Sequence, residues 1–336
     1  MEQSMRLHSL LVAAGMLGLL PSLSFADESA DYFKGKTVSY VVATAAGGGY
    51  DTYGRLVAEF MQRHLPGSTF VVRNVPGAGT VIGANMIYAA KPDGLTIGTF
   101  NTGLIYSQLV NNESLRFDLT KMSWIGKAAS DGRAILVSTT SRIKSFADLV
   151  SMKEPVNFST GGTSGATYIE TKMLTDSLNL PIKILTGYDG NDDQFAMRRG
   201  EIVGALGSRS SYDDFVRNGY GRFLVQIGGK SSDVPQLAAM VTDPTAQAVV
   251  ALIQSQGDLS RVTAGPPGIR PDILRVLRTA YRAALEDKEF LARAAKLNLP
   301  VEPAYGDDVG KSVAAALAQP PKTVEMLTQI LKAEKK

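Results

Sequence analysis

Two glycine-rich turns near the beginning of the chain have the residue types and spacing that could do chemistry. The first, residues 44–51 (TAAGGGYD), follows one apolar run, and the second, residues 73–80 (RNVPGAGT), follows another. Each pattern predicts a strand, a tight turn and a helix start. Glycine lets a ligand approach the backbone closely, and the first N–H groups of a helix are unpaired and lie at its positive end. Together the turns predict a cradle for an anion, most simply a carboxylate.

Similar turns recur along the chain. Predicted strands end in Gly, Ser or Thr again near residues 101, 160, 187 and 207. In open α/β sheets ligands lie beyond the carboxyl ends of strands, so two groups of such turns suggest two lobes that face each other across a cleft. The candidate ligand-binding residues are Ala46, Gly47, Gly48, Gly49, Tyr50, Asp51, Pro76, Gly77, Ala78, Gly79, Asn101, Thr102, Ser159, Thr160, Gly161, Thr163, Ser164, Tyr188, Asp189, Gly207 and Ser208.

Catalytic and metal-binding patterns are weak. The chain has two histidines, His8 and His64, and His64 is interpreted as a helix C-terminal residue. A serine hydrolase would need a base near Ser159 or Ser164, for which the sequence gives no sign. Asp189-x-Asn191-x-Asp193 begins like a calcium loop but lacks the later ligands, so solvated acids at a helix start are favoured. The sequence predicts no catalytic residue, metal or cofactor, and no enzyme activity.

The sequence leaves the role of Asp51 open and argues against nucleotide binding at these turns. Asp51 fits either an N-cap or a group that shapes the pocket. The stretch 77–83 (GAGTVIG) has its last glycine one residue late for a dinucleotide fingerprint, and Gly47-Gly48-Gly49 lacks the ending of a P-loop. Nucleotide binding is therefore not expected.

Composition limits the partners and the compartment. With 35 basic and 32 acidic residues the net charge of +3 is too small to indicate nucleic acid. The absence of cysteine removes thiolate chemistry and disulfides. Residues 1–26 have a basic start, an apolar run and a small-x-small end, which predicts a cleavable signal peptide and export to the periplasm.

Strand-like and helix-like patterns alternate along the rest, which indicates an α/β protein. Ser145 and Asp148 have the spacing of a capping box that opens a short helix, and Pro271 begins a long amphipathic helix. We expect the first lobe to comprise residues 27–125 with 232–336 and the second lobe residues 126–231.

The motif set resembles the tripartite tricarboxylate transporter receptors, also called the Bug family. The resemblance rests on GGGYD at 47–51 with Arg55, VVRNVPGAG at 71–79, KPDGLT at 91–96 and STGGTSG at 159–165. It covers nearly the whole chain after the signal segment. The sequence departs from the family at Asp189, where lysine is common, and at Arg209, where an acidic residue is frequent.

The resemblance implies a type II periplasmic binding protein. Each lobe would be a mixed, mainly parallel sheet flanked by helices, and the two would close over a small carboxylate-bearing molecule. The ligand could be a di- or tricarboxylate, an aromatic acid or an amino acid, and a membrane transporter would receive it from a monomeric receptor. Two alternatives stay open: an exported serine hydrolase, and a ligand-sensing partner of a signalling receptor.

Overall fold

The computed structural model describes residues 31–332 except residues 112, 164, 231–232 and 320. The predicted signal peptide, residues 1–26, lies outside the described residues. None of the helices in the described ranges is long and apolar enough to cross a membrane.

Two mixed β-sheets form the framework, as the fold class predicts. The first sheet has the strand order β11-β4-β10-β3-β1-β2 and the second has the order β7-β6-β8-β5-β9. The strands are β1 Thr37–Val42, β2 Thr69–Asn74, β3 Thr96–Thr99, β4 Ser123–Lys127, β5 Arg133–Ser138, β6 Val156–Ser159, β7 Ile182–Leu185, β8 Gly204–Ser208, β9 Gly221–Ile227, β10 Val262–Gly265 and β11 Ala304–Tyr305.

Parallel pairing is confined to one part of each sheet. It joins β1 to β2 and β3 in the first sheet, and β6 to β7 and β8 in the second. The other pairs, which involve β4, β5, β9, β10 and β11, are antiparallel. Because parallel strands need crossover connections, each parallel group brings several strand ends and helix starts to one edge.

Helices flank both sheets. They are Gly49–Arg63, Val81–Tyr88, Leu104–Leu109, Phe146–Val150, Ala166–Leu178, Asp192–Arg199, Asp213–Arg217, Pro244–Gly257, Pro271–Glu286, Lys288–Lys296, Asp307–Leu317 and Pro321–Lys332. The helix at Pro271 is amphipathic as predicted, with Ile273, Leu277 and Tyr281 buried. The capping box is confirmed: Ser145 Oγ accepts from the Asp148 N–H at 3.1 Å, and the Asp148 carboxylate accepts from the Ser145 N–H at 3.0 Å.

Separate cores lie under the two sheets. Residues such as Phe60, Ile97 and Tyr281 pack together in the first lobe. The second core contains Phe158 and Ile169, and side chains of the helix Pro244–Gly257 and Leu327 pack into it. The predicted lobe boundaries, which assign residues 232–336 to the first lobe, stay a prediction; the apolar face of the helix Pro244–Gly257 is buried against the second sheet.

The chain crosses between the sheets in two adjacent segments. The first leads from β4 to β5 and the second leads from the helix Pro244–Gly257 to β10. They are hydrogen bonded to each other, from Ala128 N to Arg261 O at 3.0 Å and from Asp131 N to Gly257 O at 3.0 Å. This paired connection holds the two sheets at the positions that define the cleft.

Candidate functional site

A cavity of about 130 Å³ lies between the lobes at the ends of the parallel strands. Both glycine-rich turns of the first lobe and the Ser/Thr turns of the second lobe contribute to it. Its lining is Thr44, Gly48, Gly49, Tyr50, Gly79, Thr80, Asn101, Arg133, Ser159, Thr160, Gly161, Gly162, Gly165, Ala166, Thr167, Tyr188, Asp189, Gly190, Asp193, Leu206, Gly207, Ser208, Ser211 and Tyr212.

The structure brings most of the predicted site residues together here. Those that line the cavity are Gly48, Gly49, Tyr50, Gly79, Asn101, Ser159, Thr160, Gly161, Tyr188, Asp189, Gly207 and Ser208. Those that lie outside the described lining are Ala46, Gly47, Asp51, Pro76, Gly77, Ala78, Thr102 and Thr163. Ser164 is outside the described residues. That the lining residues bind a ligand stays a prediction.

The first turn leads into the helix Gly49–Arg63 without a side-chain cap. Gly47 has φ +87°, in the left-handed region, and the N-cap Gly48 forms no side-chain capping hydrogen bond. An uncapped start leaves the first N–H groups of the helix free to bind a ligand, and the 15-residue helix directs the positive end of its dipole at the cavity.

The second turn is a run of left-handed residues. Gly77, Ala78, Gly79 and Thr80 have φ values of +124°, +47°, +60° and +79°. For alanine this conformation is costly, and for a β-branched threonine it is rarer still, so the surrounding structure must hold it in place. The run ends at the helix Val81–Tyr88, whose N-cap Thr80 also forms no side-chain cap. Such strain concentrates at ligand-binding sites.

Asp51 stabilises the first turn from within. It lies at the third residue of its helix and is 5% exposed, and its carboxylate accepts from Gly47 N at 2.9 Å and from Asn74 Nδ2 at 2.9 Å. Arg55 Nε donates to it at 3.0 Å. Burial raises the pKa of Asp51, but these donors together outweigh it, so that the pKa lies below its usual value. The carboxylate therefore joins the two turns.

The second lobe contributes the turn after β6 and the start of the helix Ala166–Leu178. That helix has Gly165 at its N-cap with no side-chain cap. Hydrogen bonds hold the neighbouring turn against this one, from Gly187 N to Gly161 O at 3.4 Å and from Tyr188 N to Thr160 O at 3.1 Å. Helix starts from both lobes therefore meet at one cavity.

The lobes touch each other beside the cavity through small residues. A Cβ on Gly162 would lie 2.7 Å from the Gly79 nitrogen, which is closer than real Cβ contacts allow. Asn191 Nδ2 donates to Gly47 O across the cleft at 2.9 Å. Glycine is required at position 162 because another backbone approaches so closely, and the structure therefore represents a closed arrangement of the lobes.

Three buried hydroxyls of lining residues have no hydrogen-bond partner among the residues that the structure describes. They are Thr44 Oγ1 and Thr80 Oγ1 from the first lobe and Ser159 Oγ from the second. Ser159 is 2% exposed and Thr80 is 9% exposed. A buried polar group without a partner is costly, so these groups are expected to be satisfied by something that occupies the cavity.

A buried ion pair forms part of the cavity wall. Arg133, at the start of β5, donates from Nε to Glu170 Oε2 at 2.7 Å and from Nη1 to Ser208 Oγ at 2.8 Å. Glu170 is fully buried. Burial raises the pKa of Glu170, and the adjacent guanidinium offsets this only in part. The charge of Arg133 is therefore balanced before any ligand arrives.

Asp193 is buried in the same wall, which corrects its interpretation as a solvated acid. It is 8% exposed, and the Tyr212 hydroxyl donates to its Oδ2 at 2.5 Å. Burial raises the pKa of Asp193 to about 6, against the lowering effect of that hydrogen bond. The helix Asp192–Arg199 packs on the second sheet, so the side of its first turn that carries Asp193 is covered, whereas Asp192 is exposed.

A second buried ion pair lies at the connection between the lobes. Arg261 Nη2 donates to Asp131 Oδ2 at 2.7 Å and to Ser210 Oγ at 2.9 Å, and its guanidinium lies 4.2 Å from the centre of the Tyr50 ring. A Cβ on Gly49 would lie 2.6 Å from Ser211 Oγ. These contacts couple the first cradle turn to the second lobe.

Sequence reasoning missed the charged part of the site. Arg133, Glu170 and Tyr212 carry no local motif, because they come from separate elements that only the fold brings together. Thr44 and Thr80 lie within the predicted glycine-rich turns, and this position was the one signal that could have identified them. Among the described residues no group of three or more His, Cys, Asp or Glu could hold a metal ion.

His64 lies away from the cavity. It caps the C-terminal end of the helix Gly49–Arg63, as predicted, and its Nε2 is 3.5 Å from Asp287. It is not among the lining residues of the cavity that contains Ser159.

Comparison with known proteins identifies similar chains of similar length. Residues 54–326 match the family model described as the tripartite tricarboxylate transporter family receptor. A UPF0065 protein encoded in the gbd 5′ region of Cupriavidus necator is 24% identical over 298 residues, which is 88% of each chain.

Solved structures share the fold at low sequence identity. The periplasmic binding protein BugD superposes with a TM-score of 0.73 at 20% identity, over 88% of this chain and 97% of that chain. MatC from Rhodopseudomonas palustris, solved with bound malate, superposes with a TM-score of 0.71 at 19% identity, over 88% and 99% of the two chains. The fold is therefore that of a periplasmic binding protein.

Proposed function

This chain belongs to the tripartite tricarboxylate transporter receptor family, and we propose that it captures a small carboxylate-bearing molecule for a transporter of that type. Receptors of this family bind substrates, and MatC, which shares the fold, was solved with malate. The proposal places one carboxylate of the ligand in the cavity between the lobes.

The unpartnered hydroxyls are the observation that supports the proposal most directly. Thr44, Thr80 and Ser159 come from both lobes, and in the described part of the chain nothing is hydrogen bonded to their buried oxygens. Each can donate a proton, and the uncapped helix starts at Gly48 and Gly165 supply further donors. A carboxylate accepts several such hydrogen bonds at once and is stabilised by the positive ends of the helices.

Capture in the periplasm and delivery to membrane subunits follow from the same proposal. The apolar segment in residues 1–26 supports export. A pull-down with the transporter subunits would distinguish delivery from presentation to a signalling receptor. Turnover of ester and amide panels would instead support the hydrolase alternative.

A thermal-shift screen of carboxylates tests the proposal. At a ligand concentration of 100 Kd, linkage stabilises the protein by about 2.7 kcal/mol, which raises its Tm by several degrees. We expect a shift with at least one of the mono-, di- and tricarboxylates and none with the matched neutral amide, such as succinamide beside succinate. A full panel of organic, amino and aromatic acids without any shift would overturn the proposal.

A further inference from the structure

The charges around the cavity do not favour a ligand that is wholly anionic. The carboxylate and guanidinium groups that line it belong to Arg133, Asp189 and Asp193. Arg133 is paired with Glu170, whose Oε2 lies 2.5 Å from its Nη2, so that cation is already balanced. The remaining charge is negative and comes from carboxyl groups of the second lobe. A second ligand carboxylate placed against that side would be repelled.

Asp189 holds a defined position at this side. The hydrogen bonds from Gly187 N and Tyr188 N attach its turn to the turn after β6, and Asp189 O accepts from Asp192 N at 3.1 Å. A Cβ on Gly161 would lie 3.1 Å from Asp189 Oδ1, so the carboxylate lies against the lining backbone, although Asp189 as a whole is exposed. Within the described ranges, no side chain forms an ion pair with it and no group donates to it.

The opposite side of the cavity is arranged for an anion. The uncapped helix starts and the hydroxyls of Thr44 and Thr80 are donors of the first lobe. Ser159, 2% exposed and without a hydrogen-bond partner, marks the second-lobe side of the same space as one that a ligand fills. The first-lobe side of the cavity therefore carries donors and no carboxylate, whereas the second-lobe side combines the donors of Ser159 and the helix start at Gly165 with the carboxylate of Asp189.

We infer that the ligand is an amino-bearing carboxylate, whose carboxylate lies in the helix-start cradle and whose ammonium group binds Asp189. The inference rests on the proposed function and narrows it to one class of ligand. An ammonium donates up to three hydrogen bonds and neutralises the carboxylate that otherwise faces the cavity unpaired.

The protonation behaviour of Asp189 agrees with this assignment. Burial, and then the charge of Asp192, raise the pKa of Asp189 above its usual value. Both effects disfavour the ionised form in the empty cavity. A bound cation would reverse them, because an opposite charge within hydrogen-bond distance favours the carboxylate.

Calorimetric titration with matched ligand pairs tests the inference. The pairs are L-aspartate with succinate, L-glutamate with glutarate, and β-alanine with propionate, so that each differs by the amino group. We expect the amino member of at least one pair to bind about ten-fold tighter or more, since a hydrogen bond to a charged group contributes at least that much.

Two variants identify the group responsible. Asp189→Asn keeps the shape and removes the charge, and it should weaken the amino-bearing ligand about ten-fold or more while leaving or improving the affinity for its des-amino partner. Asp192→Asn removes the same charge from a neighbour that is also exposed but lies outside the lining, and it should change affinity less than about two-fold. The Tm of both variants should match that of the parent protein, because neither carboxylate accepts a hydrogen bond or forms an ion pair among the residues that the structure describes.

The outcomes separate the inference from the proposed function. Tighter binding of the des-amino acids, or an unchanged affinity of the amino-bearing ligand in Asp189→Asn, would overturn the inference and leave a carboxylate receptor. Equal affinity within every pair would also overturn it and indicate a hydroxyl or water beside Asp189. Failure of every carboxylate to bind would refute the proposed function itself.

Discussion

The two sides of the cavity are constructed differently. The first lobe presents backbone: uncapped helix starts at Gly48 and Thr80 and a run of left-handed residues. The second lobe presents one uncapped helix start, at Gly165, and adds charged side chains, among them Arg133, Asp189 and Asp193. A backbone cradle recognises a carboxylate and little else, whereas side chains distinguish between molecules that carry one. The difference indicates that the first lobe provides affinity for carboxylates in general, and that the second lobe determines which carboxylate is bound.

Removing the charge of Glu170 is expected to have the largest effect. Glu170→Gln would leave the guanidinium of Arg133 buried without its counter-charge, which costs about 3–5 kcal/mol in the free energy of unfolding. Urea unfolding measures this directly. The double variant Glu170→Leu with Arg133→Met should recover most of the loss, because it leaves no buried charge. A double variant as unstable as Glu170→Gln would show that the pair acts through packing and not through charge.

A variant that keeps the lobes from closing should reduce the binding free energy by nearly as much as Glu170→Gln reduces the free energy of unfolding. Gly162→Val is compatible with the backbone conformation but would push against the Gly79 nitrogen, so the lobes could not close. Losing the second side removes several hydrogen bonds to a charged ligand, more than about 3 kcal/mol or roughly 150-fold in Kd. Calorimetry and small-angle scattering would report weak binding and a wider particle. Thr186→Ala, exposed on the neighbouring turn and outside the lining, is the control; full affinity in Gly162→Val would mean that the first side binds alone.

The charged side should also make stability depend on pH. The pKa of Asp193 rises from 3.8 to about 6 on folding, so between these values the folded state binds more protons than the unfolded state. The contribution of Asp193 to the free energy of unfolding should then fall as pH rises from about 4 to about 6, by up to about 3 kcal/mol, and stay lower above that range. Asp193→Asn should abolish this decline in urea unfolding, whereas Asp192→Asn should keep it. Parallel pH profiles for Asp193→Asn and the parent protein would contradict the assignment.

Removing single hydroxyls should have the smallest effects. Thr44→Val and Ser159→Ala each delete an unpartnered buried hydroxyl, one from each side. Each should weaken the ligand found in the thermal-shift screen by about 1.5 kcal/mol, roughly 10-fold, without lowering the Tm of the empty protein. Calorimetry of both variants compares the sides directly. A loss confined to one of them would place the carboxylate on that side alone.

The sequence predicts the first side better than the second for a physical reason. The need for glycine depends on the local backbone conformation. Gly47 and Gly79 adopt left-handed conformations in turns that can be identified from the sequence. The meeting of Arg133 with Glu170 depends on how β5 and the helix Ala166–Leu178 pack, and no spacing encodes it. The position of Asp193 in a helix start predicted exposure, but packing on the second sheet buries it.

The alternation of strands and helices predicted the fold class, because periodicity reflects which face is buried. The lobe boundaries are harder to predict, since both lobes offer an apolar sheet. The apolar residues of the helix Pro244–Gly257 could pack on either sheet. The path of the two crossing segments places the helix beside Phe158 and Ile169 of the second core.

The hydrogen bond from Asn191 to Gly47 has a consequence for timing. It joins the lobes outside the described lining, so a captured molecule can leave only after this bond opens. The bond affects how long the ligand stays bound and has only an indirect effect on which ligand is bound. Its acceptor is a main-chain carbonyl, which no substitution at Gly47 can remove. At this contact only a substitution of Asn191 can change the dissociation rate of the ligand. Such a substitution leaves the groups that line the cavity unaltered.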